Sequence, residues 1–407
     1  MKSVEVVVVG AGVVGLSVAL AAQARGLSVR VIDRKGICAG ASAGNAGAFA
    51  FTDILPLASP RVIRQAPKWL LDPLGPLSVP PRYALNIAPW MLRFWRASWP
   101  AQVRASTIAQ TGLMALSKAA LQPFLAAHGL SSMLRHDGQL QVYEGQAEFD
   151  ASLPSWTLRA KAGIPFEHLT GDAIADRQPG LDARFTHATF TPEWYSIADP
   201  KDYTEALAAQ FCANGGEVVI TEATHLLADG VDTALGAMRG RVVLAAGAFS
   251  HHLARTAGVK IPLETERGYN TTLPLGAADL RCQVTFGGHG FVISKLSSGI
   301  RVGGAVELGG LKLPPNYARA DAMLTKAKRF MPSLDTSGGV QWMGFRPSLP
   351  DSLPALGPLP GQPNTICAFG HGHLGLTQSA GTAQIIADLL TGKTPDIDLT
   401  PFAPARF

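Results

Sequence analysis

Residues 6–33 read VVVVGAGVVGLSVALAAQARGLSVRVID, and this stretch decides the fold. The β-branched run at 6–9 predicts a buried strand, and the glycine-rich turn at 10–15 leads into a segment of Ala and Leu that is typical of a helix. A second apolar strand follows and ends at Asp33. This order of strand, G-x-G-x-x-G turn, helix, strand and acid is the βαβ unit that binds dinucleotides. We therefore predict a Rossmann-like domain.

The glycines of this turn have separate mechanical roles. Gly10 makes the tight turn off the strand, Gly12 lets backbone approach a pyrophosphate, and Gly15 lets the helix pack on the strand. The helix N-terminus directs free N–H groups and the positive end of its dipole at the phosphates, and the acid can accept hydrogen bonds from a ribose. The residues predicted to hold the nucleotide here are Gly10, Gly12, Val13, Val14, Gly15, Asp33 and Arg34.

The composition limits the class of protein. The chain has 407 residues, of which 47% are hydrophobic and 16% charged, with a net charge of +5. This length corresponds to about two or three domains. The positive charge is not gathered into blocks, which argues against nucleic-acid binding. The slight basic balance favours anionic substrates or an anionic membrane surface.

The N-terminal stretch also bears on location. Residues 6–24 carry no charge, and a run of this length can be a membrane span or part of a signal peptide. The ordered glycines and Glu5 instead favour a strand and a helix buried in a folded domain. We expect a cytoplasmic protein without a signal peptide or transmembrane helix. The four cysteines lie far apart without metal-ligand spacing, so we expect free thiols and no metal site.

A segment rich in tryptophan and arginine leaves two interpretations open. Residues 88–99, APWMLRFWRASW, have the pattern of a short amphipathic helix with arginines among the aromatics. Such a helix can cap a domain, or it can lie in a membrane interface. The second interpretation predicts a peripheral contact at the inner face of the cytoplasmic membrane.

Two later patterns resemble the first strand and turn. Residues 241–250 combine an apolar strand with a small-residue turn, and residues 366–390 combine a strand, a glycine loop and a helix. Residues 261–310 alternate strand patterns with glycine turns, which predicts an antiparallel sheet. We predict an α/β fold, with a nucleotide-binding domain built from discontinuous segments and an inserted α+β domain. The predicted nucleotide-binding domain comprises residues 1–52, 150–262 and 335–407, and the predicted substrate domain comprises residues 53–149 and 263–334.

Five motifs in this order resemble the D-amino-acid oxidase superfamily of FAD-dependent oxidoreductases, and within it the D-amino-acid dehydrogenase and glycine oxidase branch. The motifs are GAGVVG at 10–15 with Asp33, SAGNAG at 42–47, LAAGA at 244–248, GFRP at 344–347 and GHGHLGLT at 370–377. The resemblance spans most of the chain and implies FAD. The segment that carries the covalent flavin link in sarcosine oxidases has no cysteine here, so we expect non-covalent FAD. The further residues implied to hold it are Ser42, Asn45, Ala46, Gly47, Ala246, Gly247, Gly372, His373, Leu374, Gly375, Leu376 and Thr377.

Two departures from the family pattern bear on the substrate. Asp33 stands where the family often has Glu, and an aspartate still serves a ribose. Residues 262–269, PLETERGY, depart from the lysine-containing version expected of alanine-type D-amino-acid dehydrogenases. They look more like relatives that act on cyclic or hydroxylated imino acids. The resemblance therefore implies a free D-amino or imino acid as substrate, with proline and hydroxyproline as candidates.

The resemblance also implies oxidation at Cα, with hydride transfer to flavin N5 and an imine or oxo acid as product. Arg346 is the candidate for the substrate carboxylate, because a guanidinium binds carboxylate in an oriented, two-pronged way, although a structural ion pair is the alternative. A helix beginning near Leu376 would stabilise negative charge on the reduced flavin. The candidate catalytic residues are Arg346, Tyr269 and His373, and the candidate substrate-binding residues are Arg346, Tyr269, Tyr195 and His289. Packing is the alternative role for the tyrosines and His289, and no dedicated base is evident.

Other classes of protein share parts of this pattern. A flavin-containing component of tRNA modification and a non-catalytic FAD subunit of an electron-transfer complex both stay open. An NAD dehydrogenase would explain the first motif, but not the loops at 42–47 and 370–377. The electron acceptor, whether oxygen, a quinone or a soluble carrier, is not decided by the sequence.

Overall fold

The computed structural model describes residues 3–70 and 75–407. The first two residues of the predicted nucleotide-binding domain and residues 71–74 of the predicted substrate domain lie outside the described residues. Within the described part the chain forms 21 strands and ten α-helices, together with short 3-10 turns.

The strands and helices follow in chain order. The strands are β1 (Val6–Val9), β2 (Val29–Asp33), β3 (Ala48–Phe49), β4 (Leu77–Ser78), β5 (Leu134–Arg135), β6 (Gln139–Glu144), β7 (Glu167–Thr170), β8 (Phe185–Thr191), β9 (Tyr195–Ile197), β10 (Glu217–Ile220), β11 (Ala223–Leu227), β12 (Gly230–Thr233), β13 (Met238–Arg239), β14 (Arg241–Leu244), β15 (Glu264–Leu273), β16 (Gln283–Phe286), β17 (Phe291–Leu296), β18 (Gly299–Glu307), β19 (Val340–Ser348), β20 (Ala355–Leu359) and β21 (Gln362–Phe369). The helices are α1 (Val13–Ala24), α2 (Pro60–Leu70), α3 (Ala84–Ala97), α4 (Pro100–Ala127), α5 (Gly145–Lys161), α6 (Asp172–Arg177), α7 (Pro200–Ala213), α8 (Ser250–Thr256), α9 (Ala318–Phe330) and α10 (Ser379–Leu390). In the part of the chain that the structure describes, no helix has both the length and the apolar character to cross a membrane.

The first large sheet has six strands in the order β10-β2-β1-β14-β21-β20. All neighbours are parallel except β20 and β21. Val6 and Val8 of β1 point into a core that includes α1, α7 and α10, whereas Val7 and Val9 point into a core that includes α8. A strand that is apolar at every position is thus buried on both faces, as a parallel sheet requires. The predicted Rossmann-like α/β sheet, assembled from distant segments, is confirmed.

The second large sheet has nine strands along the path β19-β15-β18-β17-β16-β6-β8-β7, with β4 added beside β18. Most neighbours are antiparallel, while β6 with β16 and β4 with β18 are parallel. One face of this sheet packs on α9 around an apolar core. Two small sheets, β11-β12-β13 and β3-β9-β5, complete the strand pairing of the described residues.

The predicted domain limits need two corrections. Strands β7, β8 and β19 lie in segments predicted to belong to the nucleotide-binding domain, but they pair within the second sheet. Conversely, α4 lies in the predicted substrate domain, yet Leu113 and Leu121 of this helix are buried in the core of the first sheet together with residues of α10. A local pattern indicates that a strand or helix forms, whereas its partner is chosen by contacts that are remote in sequence.

Candidate active site

A cavity of about 1280 Å³ is lined by residues of both large sheets. It runs along the carboxyl ends of the parallel strands, at Gly10, Asp33, Thr221 and Ala246, and reaches the second sheet at Arg346. Ligands of open α/β sheets bind at this edge. The volume exceeds the range of about 300–1000 Å³ that suits a drug-sized ligand, so a dinucleotide has room beside a small second ligand.

Two glycines at the turn after β1 have no room for a side chain. Gly10 has a φ of +119°, and a Cβ on it would lie 2.4 Å from the carbonyl oxygen of Ala245. A Cβ on Gly15 would lie 1.9 Å from the carbonyl oxygen of Gly10. Both positions therefore require glycine. Gly10 leaves bare backbone at the cavity, as phosphate binding requires, while Gly15 serves the packing of α1 on β1.

The small-residue loop after β2 is tied to the start of α1. The Ser42 hydroxyl accepts a hydrogen bond from the Val13 amide at 3.0 Å. Asn45 Oδ1 accepts a hydrogen bond from the Gly47 amide at 2.8 Å, which fixes the end of the loop. Gly47 itself is not among the residues that line the cavity. The predicted cofactor residues that do line it in this region are Gly12, Val13, Val14, Ser42, Asn45 and Ala46.

Asp33 presents a carboxylate at the far end of the cavity. One of its oxygens accepts the Ala11 amide at 3.0 Å, and the other accepts the amides of residues 35–36 at 2.8 and 3.2 Å. A carboxylate has about four acceptor positions, so capacity is left for a ribose. Arg34 next to it lies over the ring of Phe249, 3.6 Å from the ring centroid. Backbone amides thus fix the Asp33 carboxylate, and the ring of Phe249 fixes the Arg34 side chain.

The C-terminal loop connects both halves of the cavity wall. The Thr377 hydroxyl accepts a hydrogen bond from the Ala50 amide at 3.0 Å and donates one to the Ala48 carbonyl at 3.3 Å. The Gly372 amide donates to the Pro347 carbonyl at 2.7 Å. Through these bonds the loop joins the segment after the small-residue loop to the strand that carries the candidate arginine.

The helix after this loop begins later than predicted. The sequence places its start near Leu376, whereas α10 begins at Ser379. Residues 375–378 form turns instead, because the Thr377 side chain is bonded to the segment at 48–50. Of the predicted cofactor residues of this loop, Gly372, His373, Leu374, Gly375, Leu376 and Thr377 line the cavity, as do Ala246 and Gly247 after β14.

The two histidines of the loop have different surroundings. His371 is buried, with Nε2 3.0 Å from the Thr382 hydroxyl oxygen, and burial lowers its pKa to about 3. The imidazole of His371 is therefore neutral at physiological pH. His373 lies at the cavity with 38% of its side chain exposed, and its Nε2 is 3.8 Å from a carboxylate oxygen of Asp53. His373 is thus the more accessible of the two.

Arg346 is held on the cavity side of the second sheet. It lies directly opposite Glu266 across β19 and β15, and its guanidinium covers Gly268, where a Cβ would be 2.4 Å from Nη2. Nη1 donates to the Ala305 carbonyl at 3.0 Å, and Nη2 donates to the Gly304 carbonyl at 3.5 Å. Burial lowers the pKa of Arg346, and the Glu266 charge opposes this shift. A guanidinium has five N–H donors, so three remain for a carboxylate.

A β-bulge shapes the wall beside this guanidinium. The pairing of β15 with β18 shifts register between Arg267 and Tyr269, and Ala305 on β18 has a φ of +55°. A non-glycine residue rarely adopts this conformation, and both bulges and such backbone strain are frequent at functional sites. Ala305 is also the residue whose carbonyl accepts the hydrogen bond from Arg346. The bulge therefore coincides with the support of the guanidinium.

Tyr269, predicted as catalytic and substrate-binding, is among the residues that line the cavity, but its hydroxyl is bonded to other residues of the protein. The hydroxyl donates to the carboxylate of Glu307 and accepts the Asn316 amide at 3.0 Å. Successive residues of a strand point to opposite faces, so the Tyr269 ring lies on the face opposite Glu266 and Gly268, in the core with α9. Burial also raises the pKa of its phenol to about 12. The ring and the hydroxyl thus have partners within the protein, and the roles predicted for Tyr269 stay predictions.

Tyr195 and His289, the other predicted substrate-binding residues, are not among the described residues that line the cavity. The Tyr195 ring packs edge-on against Phe51. His289 Nε2 is 2.9 Å from a carboxylate oxygen of Glu144, and its ring packs against Phe330. Tyr195 lies in β9, next to the cavity-lining Trp194, and His289 lies next to the cavity-lining Gly290. The contacts of both side chains are packing contacts, and a substrate-binding role for them stays a prediction.

The sequence patterns did not identify many residues of the cavity wall, and three of them lie on the strands beside the candidate arginine: Glu266, Asn270 and Trp342. The Trp342 ring lies along two glycines, since a Cβ on Gly44 would be 2.1 Å from its Cε3 and a Cβ on Gly344 would be 1.9 Å from its Cη2. Asn270 Nδ2 donates to the Gly44 carbonyl at 3.0 Å. Alternation along the two strands is the signal that could have identified them, because they share the parity of the candidate arginine.

The residues of the cavity fit FAD. Bare backbone at 10–12 suits a pyrophosphate, Asp33 suits a ribose, and the small residues at 42–50 and 372–377 leave room for a flat ring system. Of the described residues lining the cavity, none is a cysteine. The fold and the site together define a flavin-dependent oxidoreductase.

The family comparison leads to the same class. The family model described as DAO, FAD dependent oxidoreductase, matches residues 5–389. The chain therefore belongs to the DAO family of FAD-dependent oxidoreductases.

Curated relatives match the chain over its full length. A D-amino-acid oxidase of Bradyrhizobium diazoefficiens is 33% identical over 99% of this chain and 98% of its own. A D-amino acid dehydrogenase of Rhizobium johnstonii is 30% identical over 99% of this chain and 100% of its own.

Solved structures share the fold. Glycine oxidase from Geobacillus kaustophilus superposes with a TM-score of 0.80 at 21% identity, covering 100% of both chains. L-Proline dehydrogenase from P. horikoshii superposes with a TM-score of 0.75 at 22% identity, covering 100% of this chain and 98% of its own. At this level of identity the likeness concerns the fold alone.

Proposed function

We propose that the protein oxidises a free D-amino or imino acid at Cα, giving an imine that hydrolyses to an oxo acid, or a cyclic imine from a proline-like substrate. FAD, when bound, supplies the hydride acceptor at N5. The observation that carries the proposal is Arg346, a cavity-facing guanidinium with N–H donors left after its bonds to residues 304–305. A carboxylate bound there would be held in one orientation, with Cα turned toward the cofactor.

Two observations support the choice of substrate. The relatives named D-amino-acid oxidase and D-amino acid dehydrogenase favour the D configuration. The wall around the guanidinium is formed by Gly268, Gly303, Gly304 and the indole of Trp342, which leaves space and a flat apolar surface. Such a surface suits a pyrrolidine ring. We therefore favour a proline- or hydroxyproline-like imino acid.

The chain also offers a group for proton exchange. His373 lies at the cavity, has access to solvent and sits 3.8 Å from Asp53. We infer that His373 exchanges protons between the cavity and solvent, whereas the neutral, hydrogen-bonded His371 supports the loop. The residues proposed to hold FAD are those of the glycine turn, Asp33, the small-residue loop and the C-terminal loop that line the cavity.

An anaerobic substrate panel tests this function. D- and L-amino acids, including prolines and hydroxyprolines, are mixed with the FAD-loaded protein, and bleaching of the flavin absorbance is followed. We expect a D-amino or imino acid to bleach the flavin. A panel that leaves the flavin oxidised would favour a non-catalytic FAD subunit, and tRNA retained in a filter-binding assay would favour the tRNA-modification alternative.

The outer face of α3 and the start of α4 carry exposed apolar and basic side chains that suit a membrane surface. The large apolar side chains exposed there are Leu85, Leu92, Trp95, Trp99 and Ile108. Exposed arginines surround them at positions 82, 93, 96 and 104, and residues 75–136 contain no Asp or Glu. Apolar anchors within a purely basic border fit an anionic lipid surface. We infer that the protein docks peripherally on such a membrane.

The inner face of the same helix points to a quinone. Trp90, Met91 and Phe94 line the cavity, so α3 lies between the cavity and the proposed lipid surface. An apolar acceptor that diffuses in the bilayer would reach the flavin site along this helix.

Vesicle sedimentation tests the membrane contact. A Leu92→Ser, Trp95→Ser double variant should lose most binding to vesicles that contain anionic lipid, because two apolar anchors become polar, while dye-linked activity stays unchanged. Leu275→Ser, at a leucine that is 62% exposed elsewhere, is the matched control and should bind like the wild type. Equal sedimentation of the double variant and the wild type would contradict the inference.

A further inference from the structure

We propose that Glu266 binds the ammonium group of the substrate, so that the second sheet binds both charged ends of one α-amino acid. This inference rests on the proposed function and extends it, because it assigns the group that recognises the amine. The sequence patterns and the family motifs gave this residue no role.

The first observation is the lack of a partner for this carboxylate. Glu266 is only 5% exposed and lines the cavity. Within residues 3–70 and 75–407, no donor is hydrogen-bonded to its side chain and no cationic nitrogen lies within ion-pair distance. Burial of a charge is costly unless the charge is paired. A carboxylate kept at a cavity wall in this state therefore points to a cationic ligand.

The second observation is the position of this carboxylate beside the guanidinium. Glu266 and Arg346 are direct neighbours across β15 and β19, and both line the cavity. Side chains paired in this way have Cβ atoms about 4.5–5.5 Å apart. The ammonium and carboxylate of an α-amino acid are attached to the same carbon, so one zwitterion can reach both groups. The site then has one positive and one negative charge facing a ligand with one of each.

A neighbouring acid shows what a satisfied carboxylate looks like on this strand. Glu264, two residues earlier, accepts the Tyr83 hydroxyl and the Thr265 amide, each at 2.8 Å. Glu264 is not among the residues lining the cavity. It is therefore a matched control for Glu266: same residue type, same strand and same parity, but with its own partners.

The pairing of opposite charges has a consequence for selectivity. A carboxylic acid without an amine could bind the guanidinium, but its charge would then face the Glu266 carboxylate. An amino acid would gain from both groups. Discrimination against the amine-free acid thus comes from repulsion as well as from attraction.

Two ligands and two variants test the proposal on the FAD-loaded protein. The ligands are D-proline and cyclopentanecarboxylate, which has the same ring shape without the nitrogen, and binding is read from the flavin spectrum under anaerobic conditions. Glu266→Gln should weaken D-proline binding by about 10–100-fold, the equivalent of one charged hydrogen bond. The same variant should bind cyclopentanecarboxylate more tightly than the wild type does, because the repelling charge is gone. Glu264→Gln should leave both affinities within about twofold of wild type.

The outcomes separate the proposal from its alternatives. If Glu266→Gln binds D-proline like the wild type, or if it weakens both ligands equally, Glu266 is not the amine-binding group. If it does not load FAD, Glu266→Ala is used, with the same opposite shifts expected and the same results overturning the proposal. The proposed function fails separately, when D-proline and the rest of the panel bind without bleaching the wild-type flavin. The D-proline affinity is then read from the perturbed spectrum of the oxidised flavin, and otherwise from the concentration dependence of bleaching.

Discussion

The Arg346 guanidinium depends on its fork shape, because some of its N–H groups are bonded to the carbonyls of residues 304–305. A lysine would keep the charge but could not bind those carbonyls and a carboxylate together. Arg346→Lys should therefore raise the substrate Kd by about 10–100-fold, with FAD content unchanged. Anaerobic flavin reduction at varied substrate concentration measures this. Arg281→Lys, at an exposed arginine, is the control. An unchanged Kd in Arg346→Lys would contradict the proposal that Arg346 binds the substrate carboxylate.

At this scale the sequence predicts residues that belong to a motif and misses those defined by the direction of a side chain. Arg346 was identified because it belongs to the GFRP motif at 344–347. Glu266 was missed because the sequence did not indicate which face of β15 meets the cavity. Alternation shows only that two successive side chains of a strand point to opposite faces of the sheet. The packing of α9 on one face decides which of the two side chains is buried in the core and which faces the cavity.

The loop before α10 lines the cavity proposed to hold FAD, and the Thr377 hydroxyl joins this loop to the segment after the small-residue loop. Thr377→Val keeps the shape but leaves the Ala50 amide without its acceptor. A buried unsatisfied amide costs about 1–3 kcal/mol, so we expect a lower melting temperature and weaker FAD binding. Thermal unfolding and FAD titration measure the two effects. Thr325→Val on the exposed side of α9 is the control, and equal behaviour of both variants would contradict the role of Thr377.

Elements with a strong period were predicted well, and their ends were not. The β-branched run at 6–9 became β1, and the Ala/Leu segment after the glycine turn became α1. The start of α10 was wrong by about one turn, because a hydrogen bond between residues more than 300 positions apart decides it. Such a contact leaves no trace in a local pattern.

The stability of the whole molecule should depend on pH through its buried histidines. Burial lowers the pKa of His371 to about 3 and that of His251 to about 4, below the usual value near 6.5. The unfolded chain therefore binds more protons than the folded one below pH 6.5. These two groups stabilise the fold fully above about pH 6.5, and this contribution is lost as the pH falls toward 4 and 3.

Denaturation of the FAD-saturated protein tests this pH dependence. The urea midpoint of the wild type should drop between about pH 7.5 and about pH 5. His371→Gln keeps a partner for the Thr382 hydroxyl and removes one titrating group, so its drop should be smaller. His225→Gln, at an exposed histidine, should drop like the wild type. A His371→Gln variant with the full drop would show that this histidine does not carry the effect.

The assembly of the molecule from its segments was the least predictable scale. The three-part nucleotide-binding sheet followed from repeated strand-turn patterns, but β7, β8 and β19 were assigned to the wrong sheet. Their sequences alternate in the way that either sheet would accept. Which of the two sheets each strand joins depends on contacts with strands that are remote in sequence, and these contacts are a property of the whole chain.

The position of β1 in its sheet governs how the protein is made. This strand lies between β2, which leaves the ribosome just after it, and β14, whose Arg241 pairs with Val6. At about 5–20 residues per second, the valine edge of β1 waits on the order of ten seconds or longer for that neighbour. During most of its translation the nascent chain thus exposes an unpaired, apolar edge of β1 that can pair with other chains. We therefore expect this edge to need protection until β14 has been synthesised, and we expect FAD binding to wait for residues 371–377, which line the same cavity as the glycine turn.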